Sequence, residues 1–211
     1  MKKEKKDLCT LYLIRHGETE WNRDHIIMGH KDSPLTAQGL EQAHELCEAL
    51  APIRFSALYS SDSPRAKKTA EIVKGKRVLP ITDSFRLRER NSGPFEGMTR
   101  TEFLKKNAAL LKHRSSLPEP EQWTFKLHDS EESHEEMLGR VIEALHEIAQ
   151  RHSGETVLVS THGGPIRFLL MKLGVVPFGS LPAGSFKNAG YAVCTSDGER
   201  LEIKQVEGIV K

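Results

Sequence analysis

Leu11-Tyr12-Leu13-Ile14 runs without a break into Arg15-His16-Gly17-Glu18-Thr19. The first four residues read as a buried strand, and the arginine and histidine fall on the turn that follows it. Strand C-termini in open α/β sheets are where ligands bind. The arrangement recurs far down the chain, where Val157-Leu158-Val159-Ser160 leads into Thr161-His162-Gly163-Gly164. Two histidines at strand ends, each followed by glycine, are expected to face each other across one crevice. Arg15 beside the first favours an anionic ligand.

Between and beyond these strands the pattern alternates. Strands are predicted at about Cys9–Ile14, Ala57–Ser60, Val78–Ile81 and Thr156–Ser160, with a terminal pair at Tyr191–Thr195 and Leu201–Val206. A helix follows Thr36, its expected N-cap, with Leu40, Ala43, Cys47 and Leu50 as the apolar stripe. Ser63-Pro64 opens another that Gly75 stops. Capping boxes at Thr99/Glu102 and Ser133/Glu136 open helices running to about His113 and His152, and Pro165–Leu173 is the last helix. Strands alternating with helices predict an α/β fold of three layers, a mostly parallel sheet with helices on both faces. Ser115–Gln122, with two prolines, interrupts the rhythm. Residues 93–133 are therefore read as an excursion over the strand C-terminal edge, a lid within a single domain spanning 1–211.

Composition narrows the function. The 211 residues are 37% hydrophobic and 28% charged, which fits one globular α/β domain. A net charge of +2 is too balanced to suggest nucleic-acid binding. No apolar run approaches the ~20 residues that would span a bilayer. The lysine-rich Met1–Lys6 resembles the n-region of a signal peptide, but the following apolar run is short, ends at Arg15 and has no small-residue cleavage site, so a core strand is expected. Cys9, Cys47 and Cys194 are scattered with no CxxC, as for buried thiols in a reducing cytoplasm. The sequence shows no P-loop and no HExxH, and no cofactor is expected. The sequence leaves open whether the chain is a monomer or a homodimer.

The residue types point to phosphoryl chemistry. A phosphoryl group in transfer needs positive donors around its oxygens, an in-line nucleophile and an acid for the leaving oxygen. His16 as neutral imidazole can be the nucleophile. Arg15 and Arg65 offer planar forks, the latter in the first turn of its helix. His162 can donate to the transferred group, and Glu89 is the best-placed acid. An ordinary salt-bridge cluster of Glu89 with Arg86, Arg88 and Arg90 is the competing reading. His25, His44, His113, His128, His134, His146 and His152 read as solvated. Basic residues crowd Arg86–Arg114 and acidic ones Ser115–Glu136, which suggests either a second anionic group on the substrate, met by Arg90 and Arg100, or two stretches that pair with each other.

Several motifs in order resemble the histidine phosphatase, or phosphoglycerate mutase-like, superfamily over nearly the whole chain. These are Arg15-His16-Gly17-Glu18-Thr19 with Trp21-Asn22, Asp32-Ser33-Pro34-Leu35-Thr36 with Gly39, Ser60-Ser61-Asp62 with Arg65-Ala66 and Thr69-Ala70, Leu87-Arg88-Glu89 with Gly93 and Glu96-Gly97, and Thr161-His162-Gly163-Gly164 with Ile166-Arg167. The resemblance implies that His16 forms a phosphohistidine, that Arg15, Arg65 and His162 hold the phosphoryl group, that Glu89 is the proton donor, and that no metal is used. It implies that Thr19 and Asn22 line the pocket with Gly17 and Gly163. His30 falls where the family often has a glutamine near the substrate. Phosphoglycerate mutases of this family usually continue Glu-Arg-His-Tyr-Gly after the acid, whereas Glu89-Arg90 here is followed by Asn91-Ser92-Gly93. The expected activity is thus a metal-independent phosphatase acting on a small phosphorylated metabolite. A mutase, or an inactive phosphate-binding scaffold, is the alternative.

Overall fold

A computed structural model describes residues 7–210; the lysine-rich opening lies outside them. Strands β1 (Cys9–Arg15), β2 (Ala57–Ser61), β3 (Ile81–Ser84), β4 (Thr156–Thr161), β5 (Phe186–Ser196) and β6 (Leu201–Ile209) form one sheet, ordered β3-β2-β4-β1-β5-β6. The first four run parallel, while β5 and β6 add an antiparallel flank. Arg15 lies opposite Thr161 in the β1–β4 register. That register delivers His16 and His162 side by side at the same edge of the sheet.

Alternation along the central strands feeds two cores. Leu11 and Leu13 of β1 and Val157 and Val159 of β4 point to one face, where they meet Met137, Val141 and Leu145 of α7 (His134–Arg151) and Leu169 of α8 (Gly163–Lys172). Ile14, Leu58 and Leu158 point to the other, against Leu46 of α2 (Ala37–Ala49), Leu50 just beyond it, and Val73 of α3 (Pro64–Lys74). The three-layer expectation holds. Each fully buried leucine or isoleucine contributes about 1.5–3 kcal/mol relative to exposure. No helix among the described residues is long and apolar enough to cross a membrane.

Local expectations shift in places, each for a physical reason. The third strand begins at Ile81, because Pro80 brings no N–H to a ladder; Val78 stands 98% exposed. The stripe of α2 is Gly39, Ala43 and Leu46, with Leu40 turned outward, since Gly39 faces the His16 turn. The helix predicted from Thr99 to His113 is two, α4 (Arg100–Lys106) and α5 (Ala108–Ser116). They part at Asn107, whose side-chain amide bonds the Phe103 carbonyl at 2.9 Å. The proline-rich interruption itself holds a short helix, α6 (Glu119–Thr124), which buries Trp123. Helix α8 starts two residues earlier than predicted, at Gly163. Ser63 precedes α3 without a side-chain cap bond.

Candidate active site

The site is built at the ends of β1 and β4. His16 N donates to the Thr161 carbonyl at 3.3 Å, extending the parallel ladder by one rung. The His16 and His162 rings then meet edge-on with centroids 5.2 Å apart, and both are buried. Nδ1 of His16 lies 2.8 Å from the Gly17 carbonyl. A carbonyl can only accept, so Nδ1 carries the hydrogen and Nε2 keeps its lone pair. The turn allows this because two backbones touch. A Cβ on Gly17 would come within 2.2 Å of the Gly39 oxygen, and one on Gly39 within 2.0 Å of the Glu18 oxygen. Asn188 Nδ2 and Ala189 N, from β5, both donate to the His16 carbonyl at 3.2 Å.

Two arginines stand over this turn. Arg65, 2% exposed, donates from Nη1 to the Lys31 carbonyl and to Asp32 Oδ1, each at 2.8 Å, and from Nη2 to the Gly29 carbonyl at 2.9 Å. Arg15 donates from Nη1 to the Phe186 carbonyl. In both, Nε is buried with no partner. Burial draws the Arg15 pKa down to about 10, which leaves it charged at neutral pH. Burial, reinforced by the charges of Arg65 and Arg15, holds His16 well below the ordinary imidazole range, so it is neutral. His162 is depressed in the same way, by burial first and then by Arg65. Its Nε2 is hydrogen-bonded to Ser61 Oγ at 2.9 Å, and its Nδ1 is buried without a partner.

Glu89 escapes the surface cluster that its neighbours suggested. Arg86 pairs with Glu147 at 2.6 Å, Arg88 with Asp62 at 2.6 Å and Arg90 with Glu131 at 3.0 Å. The Glu89 carboxylate instead accepts the backbone N–H of Arg90 at 2.8 Å and of Gly164, in the first turn of α8, at 2.9 Å. Its own carbonyl is held by Arg140 Nη2 at 2.7 Å and by His30 Nε2 at 3.0 Å. Arg140 also takes the carbonyls of Arg86 and Arg88, at 2.9 and 2.8 Å, and forks onto Glu132.

Arg15, His16, Asn22, Arg65, Glu89, Arg90 and Gly163 all contribute to the wall of one cavity of about 790 Å³. The excursion supplies Phe95, Phe103, Leu111 and Arg114 to the same wall. Four expected site residues stand behind it. His162 backs His16. Gly17 lies in the turn, and its N–H donates to Thr69 Oγ1 at 3.1 Å. Thr19 caps α1 (Glu20–Arg23) in a reciprocal box with Asn22. His30 props the Glu89 backbone. Asn22 Oδ1 is occupied by Thr19 N at 3.3 Å and Asn188 Nδ2 at 3.1 Å, which leaves its own amide hydrogens to face a ligand.

Sequence reading missed Asn188, Arg140, Glu132, Arg167 and His134. Asn188, Arg140 and Glu132 act on backbone tens of residues away and leave no local signal, whereas Arg167, placed beside the His162 motif without a role, takes the nearby Gly163 and Leu181 carbonyls. His134 was expected in solvent, but it is buried and stacked on Phe168 at 3.9 Å. The three-residue step from Arg167-Phe168 to Met171, all facing one cavity, was the only hint of that wall. His152 is likewise tied down, to Tyr59 at 3.1 Å and Glu155 at 2.7 Å. Among the described residues, no group of three or more His, Cys, Asp or Glu side chains is disposed to hold a metal ion.

Comparison with known proteins gives a consistent picture. The chain is 36% identical over 166 residues to phosphoglycerate mutase-like protein 4 of Arabidopsis thaliana, spanning 77% of this chain and 70% of that one. It is 33% identical over 173 residues to a metal-independent phosphoserine phosphatase of the same plant, over 81% and 71% of the two chains. The solved structure of Bacillus stearothermophilus YhfR superposes with a TM-score of 0.81 at 35% identity, covering 96% of this chain and 98% of that one. The family model for branch 1 of the histidine phosphatases matches residues 11–208, from the first residue of the β1 apolar run almost to the end of β6. With both strand-end histidines, both arginines and the acid inside that span, the chain belongs to branch 1 of the histidine phosphatase superfamily.

Proposed function

We propose that the chain is a metal-independent phosphomonoesterase that hydrolyses a small phosphorylated metabolite through a phosphohistidine. The observation that carries this is the state of His16. Its imidazole is neutral, its Nδ1 is fixed to the Gly17 carbonyl, and its Nε2 is free beside two arginines whose Nε donors have no protein partner. A phosphoryl group would satisfy those donors. Nε2 would attack phosphorus as the P–O bond to the substrate breaks, and a protonated Glu89 would give its proton to the leaving alkoxide. The charge that develops on the phosphoryl oxygens falls to Arg15, Arg65 and the His162 side. Glu89, now ionised, would take a proton from a water that attacks the phosphohistidine. Inorganic phosphate leaves and His16 returns to neutrality.

The Arabidopsis relative named as a metal-independent phosphoserine phosphatase supports hydrolysis as the fate of the intermediate. So does Asn91-Ser92-Gly93, which departs from the usual mutase pattern. The test is rapid quench with a labelled phosphate ester. Wild type is expected to carry an acid-labile, base-stable phosphate that His16→Ala does not form. With 3-phosphoglycerate, release of inorganic phosphate is expected. Appearance of 2-phosphoglycerate would assign a mutase instead, and no labelling with any ester would assign a scaffold.

A further inference from the structure

The phosphoryl end uses only part of the cavity. At roughly 790 Å³ the cavity matches ligands much larger than a phosphate group. Arg90, Arg100, Arg114, Arg167 and Lys187 also line it, and Phe168 carries both the His134 ring, stacked at 3.9 Å, and the Arg167 guanidinium, 5.4 Å from its ring centre. His16 feels the charges of Arg65 and Arg15, whereas His134 feels those of Arg90, Arg114 and Arg167. Arg167 links the two, since it is also felt at Arg15.

Three features of this second cluster ask for a ligand. His134 stacks on Phe168 and lies on the cavity wall, yet neither ring nitrogen has a hydrogen-bond partner among the described residues, and Nδ1 is fully enclosed. Nδ1 is out of a ligand's reach, so the nitrogen that can meet a bound acceptor from the cavity is Nε2. The guanidinium of Arg114, also on the wall and half-buried, makes no hydrogen bond or ion pair with any described residue, the nearest opposing charge being that of Glu131. Arg167 donates to carbonyls alone, Gly163 at 3.2 Å and Leu181 at 2.7 Å, so no carboxylate pairs with it directly, although Glu89 lies near enough for its charge to be felt. Arg90 differs, being already paired with Glu131. The pairing of basic with acidic stretches reaches Arg90 and stops short of Arg114.

We propose that His134, Arg114 and Arg167 form a second anion site in the cavity, and that the substrate is a phosphomonoester bearing a carboxylate or second phosphate several bonds from the reacting one. This rests on the phosphatase reading for its chemistry but not for its binding. The neutral imidazole of His134 offers one N–H, Arg114 offers its whole fork, and the Phe168 face and neighbouring apolar wall exclude water, which strengthens both.

The test uses 6-phosphogluconate and sorbitol 6-phosphate, which differ only in a terminal carboxylate against a hydroxymethyl group. The wild type is expected to show at least tenfold higher kcat/KM for the acid. Arg114→Gln and His134→Leu should each reduce that ratio about tenfold, the worth of one hydrogen bond to a charged group. A parallel calorimetric titration in the His16→Ala background measures binding without turnover. A wild-type ratio near one, or a ratio that Arg114→Gln leaves within twofold, overturns the second site while phosphate release keeps the phosphatase reading. No turnover of p-nitrophenyl phosphate together with tight, Arg114-dependent binding of the acid does the reverse. Arg114 lies at the cavity surface, so its variant keeps the test open if His134→Leu does not fold.

Discussion

Glu89 and Gly164 fit together as acid and socket. The Gly164 N–H donates to Glu89 Oε2 at 2.9 Å, and a Cβ at position 164 would lie 2.0 Å from Glu89 Oε1. The helix start thus holds the acid by hydrogen bonding and by leaving no room for a side chain.

Gly164→Ala should therefore act as a mutation of Glu89 without touching it. Turnover of alkyl phosphates is expected to fall by about 10²-fold or more, the usual worth of a general acid. p-Nitrophenyl phosphate, whose leaving oxygen hardly needs a proton, should be nearly spared. Glu89→Gln should give the same split. Equal losses on both esters in both variants would move the acid elsewhere.

Arg140 spends its guanidinium on three carbonyls of the segment before and at Glu89, and on Glu132. Its removal leaves the half-buried Glu132 carboxylate with the Asn91 N–H at 2.8 Å but with no arginine to balance its charge. Arg140→Leu is expected to lower unfolding free energy by about 3 kcal/mol in urea denaturation. It should also lower kcat on alkyl phosphates at 10 °C, where the variant remains folded. An unchanged urea midpoint would show that Glu132 finds water instead.

His16, His134 and His162 are all held well below the usual imidazole range by burial. In the unfolded chain each titrates near ~6.5, so below that pH the unfolded state gains protons that the folded state refuses. Stability must then fall as pH drops from 7.5 to 5.5, by up to about 1.4 kcal/mol per pH unit for each histidine. The urea midpoint at a series of pH values measures this. His134→Leu, which removes one of the three, should flatten the slope by about one proton.

Activity is expected to survive exhaustive treatment with EDTA. In the proposed mechanism the charge that a metal would supply comes from Arg15 and Arg65. A rate that disappears with EDTA and returns only with added Mg²⁺ or Zn²⁺ would refute the metal-free mechanism.

Much of this was legible in the sequence because the motifs are local. Arg15-His16-Gly17 and His162-Gly163-Gly164 each carry a strand end, a functional group and the glycine that its close packing needs within a few residues. The sheet, the two strand-end histidines and the buried Arg65 all follow from such signals. What was not legible depends on distance along the chain. Arg140 reaches Glu89 across 51 residues and Asn188 reaches the His16 carbonyl across 172. A helical arginine with a good amphipathic register looks the same whether it ends in solvent or on three carbonyls. The split of α4 from α5 was hidden for another reason: Asn107 is an ordinary helix residue until its side chain takes the Phe103 carbonyl.

The place of β1 in the sheet has a consequence for how the protein is made. β1 is made well before both of its neighbours, β4 and β5, which come from beyond residue 155. Arg15 and His16 are fixed by Phe186, Asn188 and Ala189 of β5. During synthesis β1 must therefore wait, unpaired and apolar, until β4 has emerged, and its other edge until β5 follows. Such non-local pairing slows folding and leaves a sticky strand exposed in the meantime. A chain that stops before residue 186 lacks every β5 contact to Arg15 and to the His16 carbonyl, so the turn that carries both residues takes its final shape in a single late step.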